Sequence, residues 1–156
     1  MAIEIERKYL LKNDSWKKEV SSKNKIVQGY LNSNPERTVR IRITKNKGFL
    51  TIKSKNEGSF RKEFEYEIPL QDAEELVLLC EKPIIEKTRH LVHQGNHIWE
   101  IDIFEGENKG LEVAEIELSQ ENETFLIPSW LGKEVTEKTK YYNSQLIENP
   151  FSAWKK

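Results

Sequence analysis

Disulfides, a membrane span and an excess of charge of either sign are all missing from this chain of 156 residues. Its one cysteine, Cys80, has no intrachain partner, so nothing points to an oxidising compartment. No apolar run approaches the roughly 18 residues needed to cross a bilayer, and no membrane partner is expected. Glu4 and Glu6 fall where the apolar part of a signal peptide would begin. A cytoplasmic location is therefore expected. Lys plus Arg number 25 and Asp plus Glu 26, a net charge of −1. A nucleic-acid binder carries a basic excess, so no nucleic-acid partner is expected. Internal repeats, low-complexity tracts and long linkers are absent too, and the length fits one domain over residues 1–156.

What the chain does have is charge: 33% of residues are charged against 37% hydrophobic. That is enough apolar material for one core, with the charges left to act through their arrangement. Period-two alternation marks strands at residues 3–11, 25–31, 38–44, 49–55, 59–68, 84–92, 98–104 and 111–118. Eight strands are about the number that closes a small barrel. Helices are few. Ala73, Leu76, Val77 and Cys80 predict one over residues 71–81, a short one is expected over 14–20, and weaker patterns cover 119–125 and 141–147. Pro128 and Gly132 read as punctuation of the intervening loop. The predicted class is α+β, mainly β: an eight-stranded antiparallel barrel with a few flanking helices.

Side chains two apart in a strand share a face. Sorted this way, Glu4, Glu6 and Lys8 oppose Ile3, Ile5 and Tyr9, while Arg40 and Arg42 oppose Val39, Ile41 and Ile43. Lys53 opposes Leu50 and Ile52. Arg61, Glu63, Glu65 and Glu67 oppose Phe60, Phe64 and Tyr66. Lys87 pairs with Arg89, Glu100 with Asp102, and Glu115 with Glu117. A half-solvated sheet would show the same alternation, but its polar face would mix Thr, Ser and Gln with the charges. Here the polar positions are nearly all ionic, and the signs come in blocks. Surface ion pairs contribute little and need no such blocks. A ligand that requires both signs does: arginine forks and lysine point charges bind phosphate oxygens, and paired carboxylates hold hard divalent cations.

The opening Glu4-x-Glu6-x-Lys8, with Tyr30 in the second strand, Arg40-Ile41-Arg42, Leu50-Thr51-Ile52-Lys53, the acidic strand Arg61 to Glu67, Lys87-Thr88-Arg89, Trp99 to Gly106, Gly110 to Leu118 and Trp130 to Thr136, resembles the CYTH family, also called triphosphate tunnel metalloenzymes. The resemblance runs through nearly the whole chain in order. It implies a barrel whose charged face points inward and forms a tunnel. It further implies phosphate binding by Lys8, Arg40, Arg42, Lys53, Arg61, Lys87 and Arg89. Magnesium or manganese would be held among Glu4, Glu6, Glu65, Glu67, Asp102, Glu115 and Glu117, with Glu6, Lys8 and Tyr30 as catalytic candidates. Glu63 and Glu100 share the charged faces, and Lys138 or Lys140 sits where relatives carry a late basic residue. The compact form is most similar to tripolyphosphatases. Thiamine triphosphatase, class IV adenylate cyclase acting on ATP, and a polyphosphate- or nucleotide-binding module without turnover are the alternatives. Exposed apolar positions would support a homodimer. His90, His93 and His97 read as a surface hairpin around Gln94-Gly95-Asn96, and Trp16, Trp99, Trp130 and Trp154 as packing groups.

Overall fold

The computed structural model describes residues 3–154. The outer residues of the 1–156 span, Met1, Ala2, Lys155 and Lys156, lie outside the described residues. Among the described residues nine strands form: β1 (Ile3–Leu11), β2 (Val20–Asn32), β3 (Arg37–Thr44), β4 (Lys47–Ser54), β5 (Phe60–Ile68), β6 (Ile85–Gln94), β7 (His97–Phe104), β8 (Glu112–Leu118) and β9 (Leu131–Glu134). All pairings are antiparallel, in the order β5-β4-β3-β2-β6-β7-β8-β1. Pairing of β5 with β1 through Glu4 opposite Arg61 closes the eight into a barrel.

β1 shares one of its edges between two partners. Residues 3–5 face β5, while Tyr9 and Leu11 face β9. The ninth strand fills the wedge where β1 and β5 diverge. Leu131–Glu134 is thus a strand where punctuation predicts a loop. A Cβ at Gly132 would sit 2.8 Å from the Leu10 carbonyl oxygen, so this glycine serves a close backbone approach. Arg7 clamps β9 through a bidentate pair with Glu134, at 2.7 and 2.9 Å. The β3–β4 hairpin turns on Lys45 and Asn46, both with positive φ, as a two-residue turn of right twist requires.

One α-helix, α1 (Leu70–Leu78), packs on β3 and β4. It covers an outer cluster of Ile41, Ala73 and Cys80, the thiol lying buried there. Residues 15–19 form a 3-10 turn, and three more such turns occur at 106–108, 139–141 and 151–153. The helices expected over 119–125 and 141–147 do not form. In the first, Glu123 accepts hydrogen bonds from the Ser119 amide and hydroxyl and meets His97 Nε2, and these side-chain bonds take the place of a helical ladder. The second is a run of turns after 139–141.

The main apolar cluster lies outside the barrel wall, where Trp16, Trp99, Trp130, Ile101 and Ile116 are almost fully buried. A third cluster, of Tyr30, Ile85, Phe104, Val113, Leu146 and Ile147, continues the interior faces of β2, β6, β7 and β8 past their charged residues. It fills one end of the barrel. Ile52, Phe64 and Tyr66 on β4 and β5 remain exposed outside. Among the described residues no helix is long and apolar enough to cross a membrane.

Candidate functional site

Inside the barrel lies a cavity of about 230 Å³ whose walls are the inward residues of eight strands. Glu4, Glu6, Lys8, Tyr30, Arg40, Arg42, Lys53, Arg61, Glu65, Lys87, Arg89, Glu115 and Glu117 all line it, as do Glu63 and Glu100. Two of the sequence candidates do not. Glu67 is exposed beyond the rim, because β5 runs past the cavity towards α1. Asp102 lies fully buried beneath the cavity wall, behind Lys87 and Arg89.

The charges fall into distinct groups. Glu4 is held by Lys53 at 3.2 Å and Arg61 at 3.1 Å. Burial pushes its carboxyl up, but the two cations outweigh that and leave it lowered. Arg40 reaches Glu65 at 3.4 Å and Thr51 at 3.2 Å. Asp102 takes a bidentate bond from Arg89, at 2.8 and 2.9 Å, and an ion pair from Lys87 at 2.7 Å. Arg89 also reaches Glu115 at 3.2 Å and Glu100 at 3.3 Å, and Lys8 pairs with Glu115 at 3.5 Å. The Lys8 ammonium donates as well to the Tyr141 carbonyl, at 3.0 Å. The Tyr30 hydroxyl engages Gln28, at 3.3 Å.

Two features stand out against this pairing. Oxygens of Glu6, Glu100 and Glu115 lie within 4.8 Å of one another. Burial, then Glu115 and Glu4, raise the Glu6 carboxyl well above the usual range, and burial raises Glu100 despite Arg89. Glu115 goes the other way, because Lys8 and Arg89 overcome its burial. A hard divalent cation fits this cluster: the donors are all carboxylate oxygens, with no thiol or imidazole among them, and the like-charge crowding is what a cation would relieve. On the opposite wall, Arg42 makes no ion pair among the described residues, and its Nε donates only to the neutral Gln28 at 2.8 Å. Burial, Arg40 and Arg89 lower it to about 9.

Burial is also the largest influence on Lys87. Against the pull of Asp102, burial together with Arg89 and Arg42 brings it to about 7. Its folded value thus lies below the ordinary 10.5, so the unfolded chain binds more protons between those limits and stability rises with pH there. The melting temperature of ligand-free protein should climb as pH passes through the lower part of that window, by at most ~1.4 kcal/mol per pH unit. Lys87→Met should abolish the climb. A flat or falling profile in the wild type would contradict the account of a strained buried ammonium.

Sequence reasoning missed part of the wall. Gln28, fully buried behind that wall, shares the face of Tyr30 in β2, a period-two signal available in the chain. Thr136, Tyr142, Asn143 and Ser144 come from the C-terminal turns and carry no such signal. Lys138 and Lys140 do not line the cavity, and Lys140 instead lies over the Trp154 ring at 4.5 Å. His90 contacts Trp16 and the Ile101 carbonyl while His97 meets Glu123, so the histidines do not converge.

A protein of Acetivibrio thermocellus named inorganic triphosphatase is 43% identical to this chain over 99% of both. A Nitrosomonas europaea protein of the same name is 33% identical over 76% of this chain and 81% of its own. The crystal structure of an inorganic triphosphatase superposes with a TM-score of 0.66 at 32% identity, covering 94% of this chain and 95% of that one. The family described as the CYTH domain matches residues 2–147. With the inward charges of the closed barrel, these matches establish that the chain belongs to the CYTH domain family.

Proposed function

We propose that this protein is a metal-dependent triphosphatase that hydrolyses inorganic tripolyphosphate to pyrophosphate and orthophosphate. The observation that carries the reading is a pair of opposed charge excesses in one cavity: Arg42, which makes no ion pair among the described residues, and the crowded carboxylates Glu6, Glu100 and Glu115, of which Glu6 makes no ion pair among those residues while Glu100 and Glu115 share Arg89. A polyanion travelling with a divalent metal satisfies both at once. The two relatives and the solved structure, all inorganic triphosphatases, support the same substrate class.

Arg40, Arg42, Lys53, Arg61, Lys87 and Arg89 bind the phosphate oxygens, the arginines as planar forks and the lysines as point charges. Lys8 stands between the cation and anion halves and neutralises charge near the carboxylates. Glu6, Glu100 and Glu115 hold magnesium or manganese, with Glu117 beside them as a further ligand. When bound, the metal neutralises phosphate charge and orients the scissile group. Water attacks a terminal phosphorus while its bridging P–O bond breaks, so pyrophosphate departs as the leaving group, the attacked phosphorus becomes orthophosphate and the proton of the water is released to the products or solvent. Catalysis is then positioning and electrostatic stabilisation, with no covalent protein intermediate. Glu67 and Asp102 have no place in the metal set, being respectively outside the cavity and committed to Lys87 and Arg89.

Product analysis tests this directly. Protein incubated with tripolyphosphate, ATP or thiamine triphosphate, each with magnesium or manganese, should release phosphate fastest from tripolyphosphate and lose activity in EDTA. Cyclic AMP and pyrophosphate from ATP would make it a cyclase. Anion binding that survives EDTA, with no turnover of any substrate, would make it a binding module.

A further inference from the structure

Two neutral amides lie between the cations of the cavity, and the chemistry above does not use them. Gln28 on β2 is fully buried. Its Oε1 accepts from Arg42 Nε at 2.8 Å, and its Nε2 donates to the Tyr30 hydroxyl and to Asn143 Oδ1, each at 3.3 Å. Asn143 Oδ1 also accepts from Lys87 Nζ at 2.9 Å. Donor and acceptor logic fixes both amides. An arginine Nε–H only donates, so Gln28 turns its oxygen to Arg42 and its NH2 the other way. That NH2 in turn demands the oxygen of Asn143, and the same oxygen meets Lys87.

The consequence falls on the two cations. An ammonium has three N–H donors. Asp102 takes one from Lys87 at 2.7 Å and Asn143 a second at 2.9 Å, and Lys87 lines the cavity. No hydrogen bond among the described residues takes the third N–H; the Phe104 ring lies 5.3 Å from Nζ, a weaker partner than a phosphate oxygen would be. Arg42, tethered at Nε, keeps its two terminal NH2 groups for phosphate. We propose that Gln28 and Asn143 are positioning residues: one amide chain aims the Lys87 ammonium and the Arg42 guanidinium at the same polyphosphate. The C-terminal turn that carries Asn143 is thereby part of the substrate site.

This inference rests on the triphosphatase reading, and the test separates the two. Steady-state hydrolysis of tripolyphosphate is measured for wild type, Asn143→Ala, Lys87→Met and the double variant, with melting temperatures alongside. Aimed binding cations act on ground and transition states alike, so Asn143→Ala should raise KM about 10- to 100-fold, the worth of a hydrogen bond to a charge, with kcat within about threefold of wild type. In the Lys87→Met background the same substitution should change KM by clearly less than in the wild type, because only the branch through Gln28 to Arg42 remains for it to disturb. Gln28→Leu breaks the chain at its other end and should raise KM in the same direction, which keeps the test decisive should Asn143→Ala not fold. Wild-type KM in folded Asn143→Ala, or the full effect persisting without Lys87, would overturn the proposal. Wild-type protein that leaves tripolyphosphate intact would instead bring down the functional reading, and this one with it.

Discussion

Glu6→Gln should lower metal-supported hydrolysis of tripolyphosphate about 10²- to 10³-fold, the scale of losing one preorganised electrostatic group at a transition state, while the folded protein becomes no less stable. The two halves of this expectation share one cause. Glu6 is pressed against Glu115 and Glu4 in a desolvated wall, and its carboxyl is raised well above the usual range. Without a cation, that crowding is a cost to the fold. Glutamine keeps the shape and removes the repulsion, so the melting temperature of ligand-free protein should hold or rise by about a few degrees. The same removal deletes a charged oxygen from the set Glu6, Glu100 and Glu115, so the variant should need a far higher magnesium or manganese concentration for any remaining activity. Thermal melts and a metal titration of the initial rate check both halves. A variant with wild-type rate at wild-type metal concentration would sink the assignment of this cluster, and a marked loss of stability would show that Glu6 is a structural group.

Asp102→Asn should have the opposite signature, acting first on the fold. Asp102 is fully buried and binds Lys87 and both nitrogens of the Arg89 fork. Burial opposes its charge, but Arg89 and Lys87 overcome that and hold it at about 2. Removing one partner of a buried pair leaves the others uncompensated, at a cost of about 3–5 kcal/mol. For a chain of this size that is a fall in melting temperature of roughly 10 °C. Added pyrophosphate should recover part of the loss, because an anion that binds only the folded state stabilises it by mass action. The pH dependence follows from the depressed value. Below the ordinary 3.8 the unfolded chain takes up the proton first, so the contribution of Asp102 is present above that pH and is lost as pH falls through about 2. The gap between wild type and variant should therefore narrow with acidification across that interval. Equal melting temperatures at neutral pH would mean that Lys87 and Arg89 are stabilised elsewhere.

The barrel was legible because alternation is a local property. Eight period-two segments predict eight strands, and the ionic partner of each apolar face predicts which side a ligand would need. Glu4 opposite Arg61 and Glu6 opposite Glu117 are pairs that no single strand reveals, since register is a relation between strands. β9 escaped because four residues are too few for a period, and because Gly132 looks the same in a turn as at a close backbone contact. Residues 119–125 and 141–147 carried helical spacing, yet side-chain hydrogen bonds and docking against the barrel decided their conformation.

Residue type and order alone thus determined the eight strands of the barrel, the charged face and the candidate set of cations and carboxylates, because each depends on neighbours two apart in the chain. Only the tertiary structure decided which of those charges are already satisfied. Glu4, Asp102 and Glu115 are paired with cations from other strands, Arg42 and Glu6 make no ion pair among the described residues, and Asn143 enters the wall from a distant turn. Compensation of charge is a matter of distances of a few ångströms across the barrel, and a one-dimensional pattern carries no such distances.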